Sequence, residues 1–151
     1  NKYGLCGSNL IAELTESFLD EQPENLTHFV LELQKMGLYV ALDDFGSGYS
    51  SLRMLLRYPS SIIKLDRSLI AEVMESKENL NFIRSIVFAC HQFGKTVCIE
   101  GVETEEQNEL ILDTGCDMIQ GYYYYRPIEL GTLYELLSRQ GKEAREMREE
   151  V

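Results

Sequence analysis

Short apolar, β-branched runs recur along the chain: LIAELT from Leu10, LYVALDD from Leu38, SIIKLD from Ser61, TVCIEGV from Thr96 and CDMIQGY from Cys116. Each has the length of a strand. Between them lie segments of helical spacing. Leu26, Phe29, Val30, Leu33 and Met36 share one helix face that Gly37 closes, and Pro23 suits a first turn. Leu80, Ile83, Val87 and Cys90 form a second stripe that stops at Gly94. A third segment, TEEQNELILDTG, opens on Thr104 with Gln107 at capping-box spacing and ends at Gly115. Regular alternation of strand and helix predicts a parallel α/β fold, as an open doubly wound sheet or a barrel. No internal repeat or low-complexity linker is visible.

The period of two along a strand carries the next step, since residues two apart face the same side. Ile11 leads to Glu13, Ala41 to Asp43, Ile62 to Lys64, Cys98 to Glu100 and Met118 to Gln120. An apolar or small residue is followed each time by a group that can bind metal, move a proton or donate a hydrogen bond. For one strand, such a residue merely marks where the chain emerges into solvent. Five matching offsets favour convergence at the C-terminal mouth of a (β/α)8 barrel. An open sheet would instead scatter them along a crevice.

Composition narrows the partners. The chain has 151 residues, 44% hydrophobic and 26% charged, as an ordinary globular protein does. A net charge of -11, with Lys and Arg totalling 14, argues against a nucleic-acid polymer. An anionic small ligand stays compatible if metal ions supply the positive charge. No apolar run reaches the length of a membrane span, so no membrane contact is expected from this segment. Cys6, Cys90, Cys98 and Cys116 make no CxxC pair and read as buried thiols of a cytoplasmic protein. Starting at Asn1 without a leader, the chain reads as a piece of something longer. Residues 140–151 are charged and helix-prone, expected as a tail or linker.

Asp43 and Asp44 sharpen the site. Neighbouring strand residues point to opposite faces, so both acids reach one site only if Asp44 lies past the strand end, where Phe45 and Gly46 begin to turn. Two adjacent carboxylates repel unless a cation lies between them, and hard divalent ions favour oxygen ligands. Paired ions are the usual arrangement for phosphoester hydrolysis. Taken alone, an Asp-Asp pair in a loop reads as an Asx turn or a helix cap.

ELTES (13–17), LDDFGSGYSSL (42–52), IKLDRSLI (63–70), IEGVETEEQ (99–107) and GCDMIQGYYYYRP (115–127) resemble, in order, the signature blocks of the EAL domain. That family comprises bacterial phosphodiesterases that open cyclic di-GMP to linear pGpG on a modified TIM barrel, with two divalent metal ions, Mg2+ or Mn2+. The resemblance implies that residues 1–139 are the C-terminal part of such a barrel, an N-terminally truncated portion with about five of the eight strands. It implies Glu13 and Asp43 on the first ion, Asp43 and Asp44 on the second, and Lys64 orienting water or a phosphate oxygen. Glu100 is left between second-ion ligand and proton acceptor. Glu103 and Gln120 would support the site, Asp66 would help at its mouth, and Glu16 would anchor a regulatory loop of Phe45, Gly46, Ser47, Gly48, Tyr49, Ser50 and Ser51. It further implies cyclic di-GMP as ligand, a homodimer, and coupling to sensory or diguanylate cyclase domains. Tyr122 to Tyr125 read as packing and rim rather than base-stacking platforms.

The Glu-Ala-Leu stretch and the asparagine ligand of homologous chains, which lie upstream there, are not in this sequence. The alternative to an enzyme is therefore a catalytically degenerate EAL module that binds cyclic di-GMP or a protein partner. A glycosidase-like barrel using Glu100 and an aspartate explains neither the double Asp nor Lys64.

Overall fold

A computed structural model describes residues 6–15, 23–46, 55–136 and 138–139. After a short 3-10 turn come β1 (Ile11–Thr15), α1 (Pro23–Lys35), β2 (Tyr39–Phe45), β3 (Ile62–Leu65), α2 (Ser68–Glu75), α3 (Lys77–Gln92), β4 (Thr96–Glu100), α4 (Glu105–Leu112) and β5 (Met118–Gln120). A further helical stretch runs over 130–136. The five strands are parallel and lie in sequence order, β1 to β5. Sequence order without reversal is the topology of a barrel wall, because a doubly wound sheet changes direction at a switch point.

The two sheet faces have different fates. Val40 and Leu42, Ile63 and Leu65, and Val97 and Ile99 point outward into the main core, where they meet Leu26 and Val30 of α1, Leu69 and Val73 of α2, Ile83 and Val87 of α3, and Ile111 of α4. The alternate residues Ala41, Ile62 and Cys98 form a separate small cluster on the opposite, inner face. Helices thus cover one face of an arc of the expected barrel, and the inner face is left for chemistry at its upper end.

The helices begin and end as the sequence requires. Thr104 accepts a hydrogen bond from Gln107 N at 3.2 Å, and the Gln107 side chain answers to the Thr104 backbone, completing the capping box. Gly37, Gly94 and Gly115 follow their helices at positive φ.

Four expectations change. Helix α2 lacks a stripe of its own in the sequence reading; it starts two residues after Asp66, and Ser76 divides it from α3 by accepting Asn79 N at 3.2 Å. Phe29 on α1 is exposed, and Met36 lies just past the helix end and is exposed too, so the buried face is narrower than the spacing suggested. All four cysteines are free, but Cys6 is exposed and Cys116 half-buried, because Cys6 precedes the opening turn instead of lying in a strand. Lastly, β2 continues through Asp44 to Phe45, so Asp44 does not lie past the strand end. The tail at 140–151 lies outside the described residues.

Candidate active site

Lys64 is the centre around which the strand ends are arranged. It sits on the inner face of β3, only 6% exposed. Its Nζ lies 2.8 Å from Glu13 Oε1 on β1, 3.0 Å from Asp43 Oδ1 on β2 and 2.6 Å from Glu100 Oε1 on β4. Four neighbouring strands each contribute one side chain at the predicted offset. Burial pulls the Lys64 proton affinity down, but Glu100, Glu13 and Asp43 more than offset it and hold the ammonium charged. Burial pushes the Glu100 carboxyl up, against the pull of Lys64.

Asp44 joins the site by a different device. Leu42 is opposite Ile63 and Phe45 opposite Leu65, so β2 uses three steps where β3 uses two. The surplus residue is a β-bulge, and Asp44 takes it up at φ 57°, a left-handed conformation that Asp tolerates better than most residues. Asp44 then lines a cleft of about 330 Å³ with Asp66, Arg67, Glu100, Gly101, Glu103, Gln120, Gly121 and Tyr122. Its proton affinity is raised by burial and by the neighbouring charges of Asp43 and Asp66.

Each remaining wall residue has a local reason for its place. Asp66 leaves β3 and accepts Ser68 N at 2.9 Å, which opens α2 and, against burial, keeps the carboxyl acidic. Glu103 N donates to Gln107 Oε1 at 2.7 Å, which ties the loop after β4 to the α4 cap. Gln120 ends β5 opposite Glu100. Tyr122 stands at the rim, half exposed, with the Arg126 guanidinium 4.5 Å from its ring centre. Tyr124 donates to Asn108 Oδ1 at 2.6 Å and fixes the turn after β5 on α4. All four tyrosines are exposed.

The predicted residues fall into two overlapping groups. Glu13, Asp43, Lys64 and Glu100 meet around the ammonium, while Asp44, Asp66, Glu100, Glu103 and Gln120 line the cleft, and Glu100 belongs to both. Phe45 is buried in the core as the last residue of β2, so the following loop starts at Gly46. Glu16 and Ser47, Gly48, Tyr49, Ser50 and Ser51 lie outside the described residues. Tyr122 stands at the rim as expected, whereas Arg67 and Gly101 are not singled out by the sequence pattern; the Asp-Arg step after the β3 lysine is the available signal.

The donors suit a hard divalent cation in chemistry. They are carboxylate oxygens, and buried Asp43 Oδ1 has no hydrogen bond of proper direction even with the ammonium 3.0 Å away. Among the described residues, no three acidic, cysteine or histidine side chains are grouped to hold an ion as they stand. Lys64 occupies the point where three of those carboxylates converge.

Comparison with known proteins gives a consistent picture. The family model described as EAL domain matches residues 1–127. The cyclic di-GMP phosphodiesterase RocR of Pseudomonas aeruginosa is 35% identical over 127 residues, covering 84% of this chain and 32% of RocR. The solved complex of the PaMucR phosphodiesterase with c-di-GMP superposes with a TM-score of 0.77 at 35% identity, over 87% of this chain and 53% of that one. A manganese and cy-diGMP complex of Klebsiella pneumoniae BlrP1 gives 0.74 at 31% identity, over 81% and 31%. The chain therefore spans about a third of RocR and about half of the solved PaMucR chain.

Proposed function

The chain belongs to the EAL domain family, and we propose that it supplies the greater part of the active site of a metal-dependent phosphodiesterase that hydrolyses cyclic di-GMP to linear pGpG. The carrying observation is the convergence of Glu13, Asp43 and Glu100 on the buried Lys64, with Asp43 Oδ1 left without a hydrogen bond. Glu13 and Asp43 would hold one divalent ion, Mg2+ or Mn2+, and Asp43 and Asp44 a second. When bound, the ions would lower the proton affinity of water and offset charge on the phosphoryl group.

The chain's own groups divide the remaining work. Lys64, kept charged, offers an N–H to the attacking water or to a phosphoryl oxygen. Glu100, whose proton affinity burial raises, is suited to take a proton from water at near-neutral pH or to ligate the second ion. Gln120 and Glu103 present an amide and a carboxylate at the cleft wall, and Asp66 fixes the strand end that carries Lys64. The loop from Gly46 to Ser51, anchored by Glu16, would couple dimer contacts to the ligands beside it.

A binding module is the second reading. It is favoured by the ammonium at the point where the three carboxylates converge. One experiment separates the two: incubate the full-length protein with cyclic di-GMP and Mg2+ or Mn2+, and follow pGpG by chromatography. Turnover that EDTA abolishes supports the enzyme. Turnover that survives full chelation removes the metal mechanism, and tight binding without turnover selects the module. Sensory or cyclase partners would be fused elsewhere in the same protein, as in the bifunctional cyclase and phosphodiesterase MucR of P. aeruginosa.

A further inference from the structure

Asp44, Asp66, Glu100 and Glu103 place four acids around the cleft, with Arg67 as the one basic residue among the described residues of its lining. Arg67 follows Asp66 at the head of α2, its side chain is exposed, and its charge helps to keep the adjacent Asp66 carboxyl acidic. The arginine stem lies against Gly101, the residue after β4. A Cβ on Gly101, which has φ 80°, would come within 2.3 Å of the Arg67 Cβ. Even Ala at position 101 would displace the arginine, so the glycine acts as a cradle for it.

A cyclic dinucleotide carries two phosphodiesters, and only one at a time can occupy the reacting position beside Lys64. The other must rest at a mouth whose charge is otherwise repulsive. We propose that Arg67 holds this second, non-reacting phosphate by a forked guanidinium contact, and that Gly101 exists to let it lie there. Arg67 is thus a substrate-binding residue, Gly101 a positioning one. This rests on the phosphodiesterase reading for the identity of the ligand.

The test uses the full-length protein, with cyclic di-GMP titrated calorimetrically in calcium and hydrolysed in Mg2+ or Mn2+. R67Q should weaken the Kd by about tenfold, the loss of one charge-assisted contact. It should also raise KM more than it lowers kcat, as for an interaction made equally in ground and transition states. R67K should recover only part of the loss, because an ammonium keeps the charge but cannot make the forked contact. G101A should lose affinity alone but add nothing to R67Q. Equal affinities of wild type and R67Q overturn the proposal while hydrolysis leaves the enzyme reading standing, and additive losses overturn the cradle. If wild type binds without turnover but R67Q does not bind, the enzyme reading falls and the Arg67 assignment survives. If wild type does not bind, both fall.

Discussion

Asp44 is held in a backbone conformation that costs L-residues of order 1 kcal/mol, and burial, then the charges of Asp43 and Asp66, raise its proton affinity. Strain and like charge together mark a residue kept for something other than stability. D44N keeps the side-chain size, tolerates the same φ and removes the charge. It should raise the unfolding temperature by about 2–4 °C while abolishing turnover; differential scanning fluorimetry and the chromatographic assay measure both. Lys64 has the opposite character. Removing its charge with K64M leaves Glu13, Asp43 and Glu100 facing one another, and breaking such a partly buried set should cost about 3 kcal/mol. An acid whose folded proton affinity is raised binds protons on folding, so the variant should regain stability as pH falls from 7 toward 5. Urea titrations at the two pH values decide it, and an equal loss at both contradicts the account.

Among the elements, the strands that carry the chemistry are braced at their opposite ends. Asp117, just before β5, accepts Val97 N of β4 at 2.7 Å and pairs with His91 at the end of α3 at 2.9 Å. Against burial, these partners hold its carboxyl below the usual range. A depressed carboxylate stabilises the fold above its unfolded value of about 3.9, and that contribution disappears as pH falls through the lower folded value. The gap in urea midpoint between wild type and D117N should therefore be widest near neutral pH and close below about pH 4. A gap that persists in acid would show that the charge is not what matters.

How much of this was legible depends on whether one strand or two were needed to see it. The five strands and the three capped or glycine-ended helices follow from local period, and so does the inward face carrying Glu13, Asp43, Lys64 and Glu100. The bulge at Asp44 is a mismatch between β2 and β3, and no single strand's pattern contains it. Helix α2 was hidden because the apolar run of β3 passes into it across only Asp66 and Arg67, without a glycine or proline to mark the change. Arg67 was missed because its place depends on Gly101, thirty-four positions away in sequence and adjacent in space.

For the whole molecule, the outer edges of β1 and β5 carry no strand partner among the described residues. Leu10, Ile11 and Met118 are exposed near them, as are Ile128, Leu130 and Tyr134 beyond β5. The solved PaMucR chain is nearly twice the length that this one covers, which leaves room for the strands that would close a barrel. Unpaired edges with apolar flanks recruit other strands. Residues 1–151 expressed alone should therefore self-associate in analytical ultracentrifugation, bind a hydrophobic dye and show no turnover. A dye-negative monomer that hydrolyses cyclic di-GMP would refute this.

The surplus residue in β2 also bears on how such a site can be lost. Deleting one position between Leu42 and Phe45 would restore an unbroken ladder against β3 and leave both outward core residues in register. The sheet would be better paired, and one of its two adjacent acids would be gone. The deletion is thus nearly invisible to folding and fatal to chemistry. In a lineage released from selection for hydrolysis, the spacing from Leu42 to Phe45 should erode before the hydrophobic pattern does, so that this short interval dates the loss of activity while the barrel wall persists as a scaffold.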